Sequence, residues 1–274
     1  MTTTQKIIGF VDILGFKDMV HKYDSGAEPD LLDNLIEIIN SAGIFLKLKH
    51  STPSSDKLNN WKEKFEVKVF SDCFCLSIPL EFENFTFEEN VTLFYQYLSG
   101  FQILLLEKGY LIRGGLTIGS YYSDDNLIFS GGLVEAYELE SEYAKMPRII
   151  VSDKFLSKLK EKNFSNSNYM LLCDKCSIFI NPFNHKLINS DFCDKMVSEF
   201  VDTIGILGSL DKSFREMDEE DKQKTIKEIL TIVNEKIEKF KFDVKVTKKY
   251  VWLKEFLKHE IGEKSEIQFE NYKY

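Results

Sequence analysis

The stretch Ile7-Ile8-Gly9-Phe10-Val11-Asp12-Ile13-Leu14-Gly15-Phe16 decides the fold. An apolar run ends in a single acid, followed by an apolar pair and then Gly-Phe. The pattern predicts a buried central strand over Ile7 to Val11, with Asp12 at its C-terminal mouth and a helix starting near Leu14. A carboxylate in that position is costly to bury alone and requires a cation or hydrogen-bond donors. A second acid ends a second β-like run, Val67-Lys68-Val69-Phe70-Ser71-Asp72. Either acid alone could be a helix cap. Two acids ending two strands point instead to a shared divalent-metal site.

Composition bounds what surrounds that site. A chain of 274 residues is long enough for one large core or two small ones. Its 43% hydrophobic content and mean hydropathy of −0.21 describe an ordinary globular protein, with 23 Phe marking an aromatic core. A net charge of −9 and a pI near 5.2 provide no global basic field, which argues against direct DNA or RNA binding while leaving a nucleotide ligand open. Five scattered cysteines do not make a disulfide framework, and Cys173-Asp174-Lys175-Cys176 reads as a turn between two strands. The N-terminus lacks a signal-peptide pattern, and no apolar run approaches the ~18 residues of a membrane span. The expected location is the cytoplasm, without membrane association.

Along the chain, a short helix over Leu14 to Tyr23 precedes a second opened by Pro29, in which Leu31, Leu32, Leu35, Ile36, Ile38 and Ile39 share one face. Ser51 to Lys64 reads as a polar, mobile loop. Phe65 to Leu80 is the strongest β region, with a hairpin turn at Ser71-Asp72. A helix over Phe87 to Lys108 leads to a strand over Tyr110 to Gly119, a turn at Asp124-Asp125-Asn126 and a partner strand to Phe129. Gly131-Gly132 releases a helix over Leu133 to Lys145, followed by a strand from Arg148 and a helix over Asp153 to Lys162. From Ser190 only helices are expected: Asp191 to Leu210, Asp218 to Phe240 and Lys245 to His259. Mixed hairpins and crossovers predict an α+β sandwich and exclude a doubly wound sheet.

Several residues gain a chemical reading from this layout. Gly15 would let a phosphate approach closely, and the helix after it would offer its N-terminal amides to the same anion. Lys68 is either a ligand-facing cation or a solvated lysine. Arg113-Gly114-Gly115 places glycines in mid-strand, as a bulge, a close-packed helix contact or the approach of a nucleotide or second subunit. Glu135, Glu138 and Glu140 read as a solvated helix face. Histidine or serine-triad catalysis is not legible in the spacing.

These residues resemble the class III nucleotidyl cyclases. Phe10-Val11-Asp12-Ile13-Leu14-Gly15-Phe16 is similar to that family's first metal motif, Phe-x-Asp-Ile-x-Gly-Phe, and Phe70-Ser71-Asp72 to the hairpin carrying its second metal acid. Arg113-Gly114-Gly115-Leu116-Thr117-Ile118-Gly119 resembles its Arg-x-Gly-Ile-x-x-Gly strand, and Gly131 with the following helix resembles the next segment. The match runs in order over about residues 7 to 150. The Asn and Arg that purine cyclases carry on the last helix are absent: those positions fall at Glu135 and Leu139, or at Val134 and Glu138. The adenine-reading acid falls at Ile128. Either the enzyme is dead or it reads another base. Leu133 to Glu140, Ala144 to Val151 with Pro147-Arg148, and Trp252-Leu253 near the end resemble the pyrimidine cyclases of bacterial Pycsar anti-phage systems.

The resemblance implies a class III cyclase-like, ferredoxin-like palm with an antiparallel or mixed sheet over residues 1–185, and a helical C-terminal extension over 186–274 packed on it. It implies conversion of UTP, with CTP open, to the 3′,5′-cyclic monophosphate and pyrophosphate. Two Mn²⁺ or Mg²⁺ ions would be held by Asp12, the Ile13 main chain and Asp72. The amides of Ile13, Leu14, Gly15 and Phe16 would bind the triphosphate, Lys68 would contact the base, and Arg113 or Arg148 would replace the missing arginine. A homodimer, and a separate effector that binds the cyclic product, are also implied. The alternatives are an inactive nucleotide-binding module on the same fold and an ATP or GTP cyclase with substituted base readers.

Overall fold

Strand β1 (Thr4–Ile13) lies between β3 (Cys73–Pro79) and β4 (Ile112–Ser123) and is antiparallel to both. The computed structural model describes residues 2–37, 56–83, 85–164, 170–183 and 219–272. Their mixed sheet runs β2-β3-β1-β4-β6-β8-β7-β9, with β5 (Ile128–Phe129) hairpinned onto β4. Here β2 is Glu66–Phe70, β6 Ile149–Val151, β7 Leu171–Cys173, β8 Ile178–Ile180 and β9 Glu270–Asn271. Only β4 and β6 run parallel among these pairs. The chain is therefore an α+β fold with a mixed sheet, as the interleaved hairpins and crossovers predict.

Period-two alternation gives β1 two chemically different faces. Ile7, Val11 and Ile13, with Phe74, Leu76 and Ile78 of β3 and Leu116 and Ile118 of β4, form the main core. Helix α3 (Phe87–Glu107) lies in this core, with Phe101 4.9 Å from Phe74 between ring centroids. Its start is fixed by a capping box, Thr86 with Glu89. The opposite face carries Ile8, Phe10 and Cys75 beside Tyr121, and part of it is covered by α4 (Gly131–Glu138) through Ala136 and Leu133. Glycines permit that close packing. A Cβ on Gly115 would meet the Ala136 carbonyl oxygen at 2.2 Å, and one on Gly119 would meet Gly132 Cα at 2.5 Å. Of the open readings for the mid-strand glycines, a close-packed helix is what occupies the space above Gly115.

The remaining helices are α1 (Phe16–Asp24), α2 (Asp56–Lys64), α5 (Asp153–Glu161), α6 (Glu219–Lys239) and α7 (Val244–Glu260), with a helical segment at 31–37. Helix α2 corrects the part of the loop expected over Ser51 to Lys64 that falls at Asp56–Lys64; residues 51–55 lie outside the described residues. Trp61 is buried, stacks on Phe65 at 4.6 Å and donates its Nε1–H to Asn90 Oδ1 at 3.1 Å. A polar window with one aromatic anchor thus folds onto the core because that single residue docks it. The expected helix over Asp191 to Leu210 lies outside the described residues. Helices α6 and α7 share a second core with Ile103 and Leu106 of α3, Phe179 and Phe269. Among the described residues no helix is long and apolar enough to cross a membrane.

The glycine contacts yield a stability prediction. Gly115→Ala should cost about 1–3 kcal/mol in urea unfolding by overpacking α4 against β4. Gly131→Ala, whose Cβ would meet only Ser120 Oγ at 3.2 Å, should stay within about 0.5 kcal/mol of wild type.

Candidate metal and nucleotide site

The site forms where β1 ends. In the sheet register Asp12 stands opposite Cys73 on one side and Arg113 on the other, so all three side chains share one face. The turn between β2 and β3 supplies Asp72. Ser71 turns it with a left-handed backbone, φ 59°, and the Ile13 amide donates to the Asp72 carbonyl at 3.1 Å, tying the turn to the end of β1. Ligand atoms of Asp12, Asp72 and Cys73 all lie within 4.8 Å of one another. The Cys73 Sγ is 3.7 Å from Asp12 Oδ1 and 3.8 Å from Asp72 Oδ1.

The electrostatics of this group are those of a site short of positive charge. Burial holds the Asp12 carboxyl above the usual carboxylate range; Arg113 pulls it down and the charge on Asp72 pushes it up again. Burial, with the two aspartates, pushes the Cys73 thiol up to about 12. The Arg113 Nε lies 3.3 Å from Asp12 Oδ2 and forms a closer ion pair with Glu140. Glu140 is 3% exposed, and its carboxyl is pushed up to about 7, mainly by burial, against the pull of Arg113 and with the push of Asp12 and Asp72. Three carboxylates thus face one guanidinium. A divalent cation meets that deficit with oxygen ligands, so these residues fit the expected metal. Cys73 adds a soft ligand of the kind that widens the choice beyond Mg²⁺.

Beyond Ile13 the chain turns at Gly15, which has φ 84° and caps α1, with nothing within 4 Å of the place a Cβ would take. The Ile13 and Leu14 amides are already donated, to the carbonyls of Asp72 and Leu111 (2.8 Å for the latter). The first-turn amide of Phe16 has no intrahelical acceptor, so Gly15 and Phe16 carry the donors best placed for an anion at this turn. The Ile13 side chain is buried, so only its main chain could serve a metal.

Other sequence-derived candidates lie apart from the acids. Lys68 shares its register row with Cys75 and Phe10, and its Nζ donates to the Asp124 carbonyl at 3.2 Å. Arg148 is 4% exposed, paired with Asp174 of the β7–β8 turn, with its guanidinium carbon 5.4 Å and 5.3 Å from the Phe179 and Trp252 rings. Of the two arginines, Arg113 is the one beside Asp12. The Cys173 to Cys176 segment is a hairpin turn, in which Asp174 Oδ1 accepts from the Cys176 and Ser177 amides.

Two members of the group escape a sequence reading. Cys73 follows Asp72 directly, and strand parity alone would have placed it beside Asp12. Glu140 corrects the solvated face expected for Glu135, Glu138 and Glu140. Gly132, Ala136 and Glu140 are buried at i, i+4 and i+8, so Glu140 continues the inner face of α4, and the helix then loosens into a π turn over Leu139–Tyr143, closed by the Ala144 amide on the Leu139 carbonyl at 2.8 Å.

No protein-family model matches the sequence, and no curated protein does either. Among solved structures, two of a bacterial light-regulated adenylyl cyclase align over 78% of this chain, at 11% and 12% identity and TM-scores of 0.38 and 0.37. The chain spans 58% of the length of each. Likeness at that level assigns no activity to this chain.

The Glu140 environment sets a pH dependence. Its folded-state pKa lies above the unfolded value, so the folded state holds the extra proton between about pH 4.5 and 7. Stability in metal-free buffer should therefore fall as pH rises through that window. Glu140→Gln should flatten this part of the profile, as read by urea midpoints from pH 4.5 to 8.

Proposed function

We propose that the chain is a nucleotidyl cyclase that converts a pyrimidine nucleoside triphosphate to its 3′,5′-cyclic monophosphate and pyrophosphate. The observation that carries this reading is the convergence of Asp12 and Asp72, from a central strand end and a hairpin turn, into one cation-deficient cluster. In the reaction the ribose 3′-oxygen bonds to the α-phosphorus and gives up its proton. The α–β bridging P–O bond breaks, and pyrophosphate carries away the electron pair. Divalent ions would supply acidification of the 3′-hydroxyl and charge neutralisation on the phosphates. Asp12 and Asp72, with the Ile13 carbonyl and Cys73 beside them, would hold those ions, two by the resemblance to class III cyclases.

The chain's own groups divide the remaining work. The Gly15 and Phe16 amides would bind phosphate oxygens. Arg113, oriented between Asp12 and Glu140, would stabilise the negative charge that develops at the α-phosphate. Lys68, held beside the Asp124 turn, would contact the base. The pyrimidine class is supported by the partly buried Ile128, which stands where purine cyclases carry the acid that reads adenine, and by Glu135, which stands where they carry the ribose-orienting Asn and pairs here with Lys154 at 2.6 Å. The ATP or GTP reading would need substitute base readers; Asp124 of the same hairpin is an acid close to Ile128, and its carboxylate already accepts from the Asn126 and Leu127 amides and the Tyr122 hydroxyl.

A homodimer fits the exposed apolar side chains along this side of the molecule: Phe70, Leu127, Phe129, Val134 and Tyr137, each at least 50% exposed. A place as the signal generator of a cytoplasmic anti-phage system, acting on an effector through its cyclic product, follows from the Pycsar resemblance.

Incubation with each of the four triphosphates and Mn²⁺, followed by chromatographic separation, tests the reading. Cyclic product should appear from UTP or CTP and fall on the order of 10²-fold or more in Asp12→Ala and Asp72→Ala. Product from ATP or GTP alone would remove the pyrimidine assignment, and activity persisting in both variants would remove the site.

A further inference from the structure

A cavity of about 440 Å³ opens between the start of α1 and the α6–α7 pair. Leu14 and Gly15 line one side, two and three residues beyond Asp12, and Lys236 of α6 and Lys249 of α7 line the other. We propose that this cavity takes the polyphosphate end of the nucleotide, with Lys236 and Lys249 as its cationic partners. The C-terminal helices then form part of the binding site and are more than a support for the fold. The inference rests on the cyclase reading for the identity of the nucleotide.

Burial sets the two lysines apart from the other cations of the cavity wall. Lys22 lies 3.1 Å from Glu28, which Lys239 also approaches at 3.6 Å, and Lys108 is exposed. Lys236 and Lys249 are half-buried, yet neither makes an ion pair or hydrogen bond with another described residue. The Lys236 stem lies over Gly109, its Cε 3.3 Å from where a Cβ would stand. That glycine ends the α3–β4 turn with φ 78°, and a side chain there would push the lysine aside.

Lys249 is coupled to the acid cluster itself. Burial does most to weaken its hold on the proton and Arg113 adds to that, while Asp12 and Asp243 attract its charge. Burial likewise lowers Lys236, with Lys239 and Lys22 adding to the effect and Glu28 and Glu235 opposing it. Two unpaired, partly desolvated cations facing one cavity are unfavourable in isolation. A chain of phosphates running from the aspartates past Gly15 would satisfy both, and the open Gly15 turn leaves room for it. Glu28 is already paired with Lys22 and Lys239, which leaves Asp18 as the acid on that wall without an ion-paired lysine among the described residues. The alternative is that both lysines extend their ammonium groups to solvent along apolar stems, with no ligand.

Tripolyphosphate without metal is the probe, because it tests the cavity independently of any chemistry on the sugar. Calorimetry should show binding to the wild type. Lys236→Gln and Lys249→Gln should each weaken it about tenfold, Lys249→Arg should hold it within a few-fold, and the exposed Lys160→Gln should leave it unchanged. Both glutamine variants should melt no lower than wild type, since each removes a strained charge and no partner. Absence of binding to the wild type, or binding unaltered in both glutamine variants, overturns the proposal. Binding lost in the variants with no cyclic product from any triphosphate overturns the cyclase reading and leaves the anion site standing. Cyclic product made with unchanged KM in both variants overturns the anion site alone.

Discussion

Two carboxylates held close together repel each other, and the fold of this chain brings Asp12 and Asp72 into that position with few nearby cations. The geometry is not an accident of surface chemistry. Asp12 is fixed by pairing on both sides of β1, and Asp72 by a left-handed turn whose carbonyl is bound by the Ile13 amide. Both constraints come from the main chain, so the acids cannot drift apart to relieve their repulsion. Arg113 answers part of the charge but is shared with Glu140. A divalent cation would answer the remainder, with Asp12, Asp72 and Cys73 as the ligands the fold brings together.

The core explains how that arrangement is kept. One face of β1 is sealed by an almost wholly buried α3, which anchors the strand. The other face is only partly covered, and α4 can approach it because Gly115, Gly119 and Gly132 leave room. The sheet is thereby rigid under the acids and open beside them. On the far side of the Gly15 turn, α7 docks through an aromatic cluster of Phe179, Trp252, Phe256 and Phe269, and α6 joins the same core through Ile226, Ile229 and Val233. The same docking brings Lys236 and Lys249 to the cavity wall.

Much of this was legible in the chain. The Ile7 to Phe16 pattern placed the strand, the acid and the glycine turn, and the alternation from Phe65 to Leu80 placed the hairpin that carries Asp72. Local pattern fails where tertiary structure overrides it. Trp61 turned an expected loop into a helix, because one large apolar residue can dock a polar segment. Glu140 lies on the inner face of Gly132 and Ala136, and only the pairing with Arg113 from β4 shows why a carboxylate is buried there. Lys249 joins the neighbourhood of Asp12 from 237 positions away in the sequence, a proximity set only by how α7 packs. Arg113 and Arg148 were indistinguishable as residues; their surroundings separate them, one beside Asp12 and one closed in by Asp174 and two rings.

The central claim is that Asp12 and Asp72 act together as one divalent-cation site, and Mn²⁺ binding measures it most directly. Titration of the purified protein, followed by the electron paramagnetic resonance signal of free Mn²⁺, should show uptake by the wild type. Asp12→Asn and Asp72→Asn should each weaken that uptake at least tenfold, since each removes one of the paired ligands. Equal Mn²⁺ uptake by all three proteins, or none by the wild type, would contradict the account.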